Sequence, residues 1–228
     1  MNIDIVIPTY KRKVKLDRLL KSIPNQDNLR IWIYCDNNDM DSYYHFKMNP
    51  RCTCLCMDKK YQAFGIWNYH LLNNFKADIM CYLCDDTEVF ENTFNNVIKH
   101  FEDKFKNTDG MVTLKQANMQ GSDSAMGCIG KYFAFRYLNR QCFCPNFVSF
   151  YADTELGDFA KKLNKFHYGE DCLINHYHPA IFKDEMDATH GTIRGNEKNI
   201  DIKVNAIRRE KNLLWGESIE QINRETIN

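Results

Sequence analysis

The chain has 228 residues, of which 44% are hydrophobic and 13% aromatic, enough to bury a sizeable core in one large domain or in one domain with an appendage. Thirty Lys and Arg balance thirty Asp and Glu, which argues against a dedicated nucleic-acid binder, whose phosphate contacts need a concentrated basic face. No charge run is long enough for a polybasic membrane patch, and no window approaches the roughly 18 apolar residues of a membrane span.

The opening stretch "MNIDIVIPTY" carries an acidic residue inside its apolar run and lacks a small-residue cleavage site, so it does not read as a signal peptide. The expected setting is cytoplasmic, with the ten cysteines as reduced thiols. Residues 3–8 read as a buried strand, after which Leu16, Leu19, Leu20 and Ile23 recur at helical spacing until Pro24. Residues 29–35 form a second strand that ends in the polar turn "DNNDMDS", and residues 52–57 form a third. This third strand alternates Cys52, Cys54 and Cys56, and a further pair, Cys81 and Cys84, has CxxC spacing. Strand positions three apart point to opposite faces and no turn is signalled inside "CYLC", so small buried thiols are favoured there over a structural zinc site.

A helix over about 61–76 sets Phe64, Trp67, Leu71, Leu72 and Phe75 on one side. Residues 78–84 are a fourth strand, followed at once by Asp85 and Asp86. A helix over about 91–106, carrying Phe94, Val97, Ile98, Phe101 and Phe105, then leads to a fifth strand at 110–115. Strands and helices alternating with short connections predict an α/β fold whose mostly parallel central sheet is flanked by helices on both faces. Ligands of such sheets bind beyond the carboxyl ends of the strands, where three polar segments fall: 8–11, 36–39 and 85–87.

The second half is less regular. Residues 116–150 mix Gly121, Gly127 and Gly130 with many aromatics, as expected of loops and short strands lining a cleft. A helix is predicted over 153–163 and a strand over 172–179, ending at His178 and Pro179. The remainder, 183–228, reads as a polar appendage with a helix near 200–214, either packed on the domain or partly ordered. The implied division is a domain over 1–182, with a nucleotide-binding half at 1–115 and an acceptor-binding half at 116–182.

Adjacent carboxylates at a strand end repel each other and lose solvation, and a divalent metal is the simplest compensator. The competing reading is a solvated turn in which Asp86 or Thr87 caps the next helix. What separates the two is an ordered set: "IVIPTYKR", "IYCDNND", "CYLCDDTEV", "YADTEL" and "HYHP". In that order the set resembles the family 2 nucleotide-sugar glycosyltransferases of the GT-A fold, over roughly residues 1–180. The acidic motif stands here as Cys84, Asp85, Asp86, where the family pattern is DxD-like.

The resemblance implies a metal-dependent, inverting transfer from a nucleotide-sugar donor, with UDP as the expected nucleotide, to an acceptor hydroxyl on a glycan or glycoconjugate. Pro8, Thr9 and Tyr10 would lie under the nucleotide, with Lys11 or Arg12 near its phosphates. Asp36 would accept the N–H of a uracil-like base, and Ala63, Gly65 and Asn68 would lie along the donor. Asp86 would ligate Mn2+ or Mg2+, and Asp85 would contact the ribose or the metal's water shell. His178 is the favoured second metal contact, with His176, one pleat away on the same face, competing for the role. Asp153 is the expected base, with Glu155 and Asp171, and its neighbour Glu170, in reserve. Tyr132, Phe133, Phe135, Tyr137, Phe147, Phe150 and Tyr151 offer either a sugar-stacking surface or core. Two alternatives stand beside this reading. One is a sugar-phosphate nucleotidyltransferase, although "PTYKRKVK" has no glycine for a phosphate loop; the other is a binding protein that keeps the fold without turnover.

Overall fold

The computed structural model describes residues 1–58, 62–118, 124–179, 181–187 and 196–217. Residue 61, where the third helix was expected to begin, Gly121, and the appendage beyond residue 217 lie outside the described residues.

The elements follow as β1 (Ile3–Thr9), α1 (Lys13–Ser22), β2 (Leu29–Asp36), α2 (Met40–Lys47), β3 (Cys52–Met57), α3 (Ala63–Asn73) and β4 (Ile79–Tyr82). Next come β5 (Thr87–Val89), α4 (Thr93–Lys104), β6 (Met111–Gln116), β7 (Gly127–Gly130) and α5 (Lys131–Ala134). The described chain closes with α6 (Ala152–Lys162), β8 (Phe166–His176) and α7 (Asn196–Glu210).

One sheet takes the order β3-β2-β1-β4-β7-β6-β8-β5. β1 pairs in parallel with β2 and β4, β2 with β3, and β6 with β8, while β7 and β5 run against their neighbours. The carboxyl ends of β1, β2, β4, β6 and β8 therefore share one sheet edge. β1 is almost continuously apolar because both of its faces are covered. Ile3, Ile5 and Ile7 pack with α1 and α4 through Leu16, Leu19, Phe94, Val97 and Phe101. On the other face Val6, Tyr34, Met80 and Tyr82 pack with Phe64 and Trp67 of α3 and with Leu156 and Phe159 of α6.

The one charge in β1, Asp4, is fully buried and accepts hydrogen bonds from Arg30 Nε (2.8 Å) and Trp32 Nε1 (3.1 Å) of β2. Its other oxygen lies 3.4 Å from Nε2 of His70, whose Nδ1 is 2.8 Å from the Tyr34 hydroxyl. Burial pushes the Asp4 carboxyl up, but the hydrogen bonds from His70 and Arg30 outweigh it and hold it below the usual carboxylate range.

Several expectations need correction. The turn "DNNDMDS" opens a helix, α2, because Asp39 caps it by accepting from the Ser42 N–H (3.3 Å). Leu72, placed on the apolar side of α3, is 49% exposed. The last strand begins at Phe166 and stops at His176, leaving His178 beyond its end. Of the aromatics offered as either a sugar-stacking surface or core, Phe133, Tyr137 and Phe147 are core, as the second alternative has it. Tyr132 and Phe135 are exposed, but β7 delivers them to the opposite sheet edge, where Lys131 N donates to the carbonyl of Asp78 ahead of β4.

The C-terminal helix docks on the body. The buried Asp201 carboxylate accepts the N–H groups of Val148, Ser149 and Phe150 at 2.7–2.8 Å. Arg208 makes a two-pronged contact with Glu155 (2.6 and 3.0 Å), and Trp215 donates from Nε1 to the Gln141 carbonyl (2.6 Å). No helix among the described residues is long and apolar enough to cross a membrane.

Candidate functional site

β4 ends at Tyr82 and the chain turns through Cys84, Asp85 and Asp86 into β5. Both carboxylates are buried, at 3% and 2% exposure, which rules out the solvated turn. β5 then pairs antiparallel with β8, and the register sets Thr87 opposite His176. That pairing carries His176 to the carboxylates: its Nε2 lies 3.3 Å from Asp86 Oδ1. The end of β6 orients the ring. Gln116 Oε1 is 2.8 Å from His176 Nδ1, and Asn118 accepts from the His176 N–H (2.8 Å) while donating to its carbonyl (3.2 Å). With Nδ1–H donating to Gln116, the Nε2 lone pair faces the Asp86 oxygen. Two acceptors facing each other across 3.3 Å require a proton or a cation between them. His178 sits beside this pair, with its ring 5.3 Å from that of His176. His176, at the strand's end, is the histidine whose ring nitrogen is set against Asp86.

Asp85 is held from the first loop. Thr9 Oγ1 donates to its Oδ2 (2.8 Å), and Arg12 Nη1 lies 2.9 Å from its Oδ1 and 3.8 Å from Asp86 Oδ2. Burial pushes the Asp85 carboxyl up; Arg12 opposes this, Asp86 adds to it, and the net shift is upward. Burial lowers the Arg12 guanidinium, but the two carboxylates more than offset that and raise it. Arg12 also bonds Asp187 through Nε (2.9 Å), so it is committed to carboxylates and not free to lie along phosphates as expected. Lys15 and Arg18 of α1 bind Asp187 and Glu185 (2.8 and 2.7 Å), which straps the 181–187 segment across the first helix.

The loops after β1 and β2 flank a cavity of about 530 Å³ bordered by Lys11, Arg12, Lys13, Asn38, Asp39 and Asp187. Asp39 is the residue that sequence reasoning missed. It accepts from the Lys11 N–H (2.5 Å), and so holds the first loop where Lys11 takes a left-handed backbone conformation (φ 54°). A capping-type Asp immediately before α2 was its available signal. Asp36 borders the same edge and accepts from the Asn38 N–H (2.8 Å), closing an Asx turn. Pro8 pairs with Tyr34 in the sheet, and Tyr10 lies beneath Lys11 Nζ at 5.2 Å. Among the donor-side residues of α3, Ala63 and Gly65 open the helix, but Asn68 is buried and clamped to Phe143. Its Nδ2 donates to the Phe143 carbonyl (2.7 Å) and its Oδ1 accepts the Phe143 N–H (3.0 Å), a structural use in place of a donor contact.

Asp153 stands in the first turn of α6, half-buried, and its charge acts on Tyr82 and Cys84 at the end of β4. Burial raises its carboxyl to about 6 against the hydrogen bonds from the Thr154 N–H and its own, a value suited to a general base near neutrality. Neither reserve candidate is placed for that work. Glu155 is buried in its ion pair with Arg208. Asp171 lies well back from the end of β8, against His100 on α4, and Glu170 beside it is exposed.

A divalent cation fits the donors at the β4 end. Asp86 and His176 supply oxygen and nitrogen, and the pair does not belong to any triad of ligand atoms converging within 4.8 Å among the described residues. Mg2+ and Mn2+ are commonly held this way, by one or two protein ligands with water and substrate phosphates completing the shell.

No protein-family model matches the sequence, and no curated protein matches it. The fold, however, is shared with solved structures of S. aureus TarS. TarS 1-349 superposes with a TM-score of 0.61 at 10% identity, covering 83% of this chain and 68% of that one, and so does TarS 1-349 in complex with UDP. A longer TarS structure gives 0.58 at 11% identity over 83% of this chain and 41% of that one. The order of strands, their mostly parallel sheet and this likeness together show a mixed α/β fold, flanked by helices, that this chain shares with TarS.

Proposed function

We propose that the chain is a metal-dependent inverting glycosyltransferase that transfers a hexosyl or pentosyl group from a UDP-sugar to a hydroxyl of a glycan or glycoconjugate. The observation that carries this reading is the buried Asp85–Asp86 pair at the end of β4 with His176 Nε2 turned toward Asp86. The likeness to TarS 1-349 in complex with UDP supports the choice of nucleotide.

Asp36 accepts the imide N–H of the uracil, and Lys11 and Lys13 border the cavity in which the nucleotide lies. Asp86 and His176, with His178 alongside, would hold Mn2+ or Mg2+, which when bound stabilises negative charge on the diphosphate. Asp85, fixed by Thr9 and Arg12, faces the ribose or the cation's water. Asp153 takes the proton of the acceptor hydroxyl as its oxygen bonds the anomeric carbon. The bond from that carbon to the diphosphate breaks in the same displacement, and its electron pair leaves with UDP.

Incubation with a panel of nucleotide sugars, with Mn2+ and with EDTA, tests this. Transfer or slow donor hydrolysis that requires metal and is lost in Asp86→Ala supports the reading; no turnover and no UDP-sugar binding overturns it. Arg12 already compensates Asp85, which favours one second reading, a nucleotide-sugar-binding protein. Its signature is UDP-sugar binding without turnover.

A further inference from the structure

The only triad of His, Cys, Asp or Glu ligand atoms converging within 4.8 Å among the described residues lies on the α4 side of the sheet, remote from the carboxyl edge. It consists of His100, Asp171 and Cys172. From its geometry we infer a second metal site, one that takes a borderline transition ion, with zinc the best match.

A break in strand pairing creates the triad. β6 and β8 stay in register through Leu114 opposite Gly169 and resume at Lys115 opposite Leu173, so residues 170, 171 and 172 are extra on β8. In a regular strand Asp171 and Cys172 would point to opposite faces, whereas a bulge re-aims side chains and brings both toward α4. Gly169 makes room for this: a Cβ there would stand 2.8 Å from Cys172 Sγ. Helix α4 meets the bulge with two residues one turn apart. Asn96 Nδ2 donates to the Asp171 carbonyl (2.8 Å), and His100 Nε2 lies 2.6 Å from Asp171 Oδ1. The Cys172 thiol donates to that same oxygen at 3.7 Å. Behind His100, its Nδ1 is 3.1 Å from Nε2 of His167, four residues earlier on β8.

The ligand chemistry selects the ion. A thiolate, an imidazole and a carboxylate suit zinc, while Mg2+ and Ca2+ want oxygen alone. Tetrahedral zinc, with bonds of about 2.0–2.3 Å, sets its ligand atoms roughly 3.3–3.8 Å apart. The Cys172–Asp171 separation already matches, and the His100–Asp171 separation needs to open by less than about 1 Å. Asp171 has a 56% exposed side chain, so water reaches the fourth position. With a cation at Nε2, His100 would carry its hydrogen on Nδ1 and donate it to His167 Nε2, 3.1 Å away, which would hold that tautomer. Binding exchanges the Cys172 thiol proton, released to solvent, for the cation. The ion would staple α4 to the bulge of β8, the strand whose far end presents His176.

The test is titration of Co2+, then Zn2+, into the metal-free full-length chain under a non-thiol reductant. One equivalent of Co2+ should give a sulfur-to-cobalt charge-transfer band with strong tetrahedral visible bands, and Zn2+ should displace it. Zinc at 100-fold over its Kd should raise Tm by about 5–10 °C. Cys172→Ser should abolish the charge-transfer band. His167→Ala, removing the group behind the ligand, should weaken binding roughly 10–100-fold. The band should persist in Asp86→Asn and His176→Ala, which separates this site from the one at the β4 end. A native chain without the band, or a band that survives Cys172→Ser, overturns the inference. Should Cys172→Ser fail to fold, His100→Gln, at the surface, decides: an unchanged cobalt Kd overturns the inference and a loss of binding upholds it.

Discussion

Arg12 Nη1 lies 2.9 Å from Asp85 Oδ1 and 3.8 Å from Asp86 Oδ2, so a single guanidinium serves two adjacent carboxylates that are both almost fully buried. Neutralising Arg12 leaves that charge pair without its compensating cation. Removing one partner of a buried ion pair costs about 3–5 kcal/mol. Arg12→Met is therefore expected to lower unfolding stability by that order in urea, and the double variant Arg12→Met/Asp85→Asn to recover part of it. Equal stability of the single variant and the native chain would show the pair to be solvated after all.

On the proposed function, the contact of His176 with Asp86 makes it the expected metal ligand of the two C-terminal histidines. In calorimetric titration with Mn2+ and UDP, His176→Ala is expected to weaken metal binding by 10-fold or more, and His178→Ala by less. Gln116→Ala releases the ring without removing it and should fall between the native chain and His176→Ala. The opposite ranking of the histidines would restore His178 to the role that its position before Pro179 suggested.

Asp153 has a carboxyl raised to about 6 by burial, and a base works only when deprotonated. Transfer rate at saturating substrates should accordingly rise through about pH 6 and level off above it. Asp153→Asn should lower the plateau by roughly 10²–10⁴-fold. Glu155→Gln should leave the position of that rise where it is, since Glu155 is spent on Arg208.

The docked C-terminal helix rests on few contacts with large individual effects. Asp201→Ala strands three backbone N–H groups, those of Val148, Ser149 and Phe150. Bonds to a charged acceptor contribute about 1.5–3 kcal/mol each, which makes about 5–9 kcal/mol the upper bound for three, and water reaching these partly buried N–H groups brings the expected loss down to about 3 kcal/mol or more. Limited proteolysis should then cut near α7 well before it attacks the sheet. Cleavage at an unchanged rate would mean that Arg208 and Trp215 hold the helix by themselves.

How much of this was legible depends on whether a residue's partners are local. The strands β1 to β4 and the helices α1, α3 and α4 were readable, because each carries its own apolar period. The carboxyl-edge position of Asp36, Asp85 and Asp86 followed directly from strand order. By contrast β5, only Thr87–Val89, is too short to show a period, and it is the element that brings His176 to Asp86. Preferring His178 assumed that the strand continued to Pro179, which the pairing with β5 ends sooner. Arg12 looked like a phosphate ligand, and nothing in a linear chain announces that Asp85 and Asp187 will converge on it. Glu155 and Asn68 were misread for the same reason: Arg208 and Phe143 reach them only in the folded chain. Asp171 reads as a turn acid in sequence, and only the broken β6–β8 register shows which way it faces.

The pairing of Thr87 with His176 also bears on the order of folding. β1 pairs with β4 across the span from Ile3 to Ile79, and β5 pairs with β8 across a span of similar length, from Thr87 to His176. Closure entropy grows only with the logarithm of loop length, so the two pairings cost nearly the same and the order of synthesis is what separates them. On a translating ribosome the carboxylates would already be folded into the sheet while their histidine was still being synthesised. The β1–β4 half of the sheet is therefore complete in sequence before the strand that carries His176 has been made.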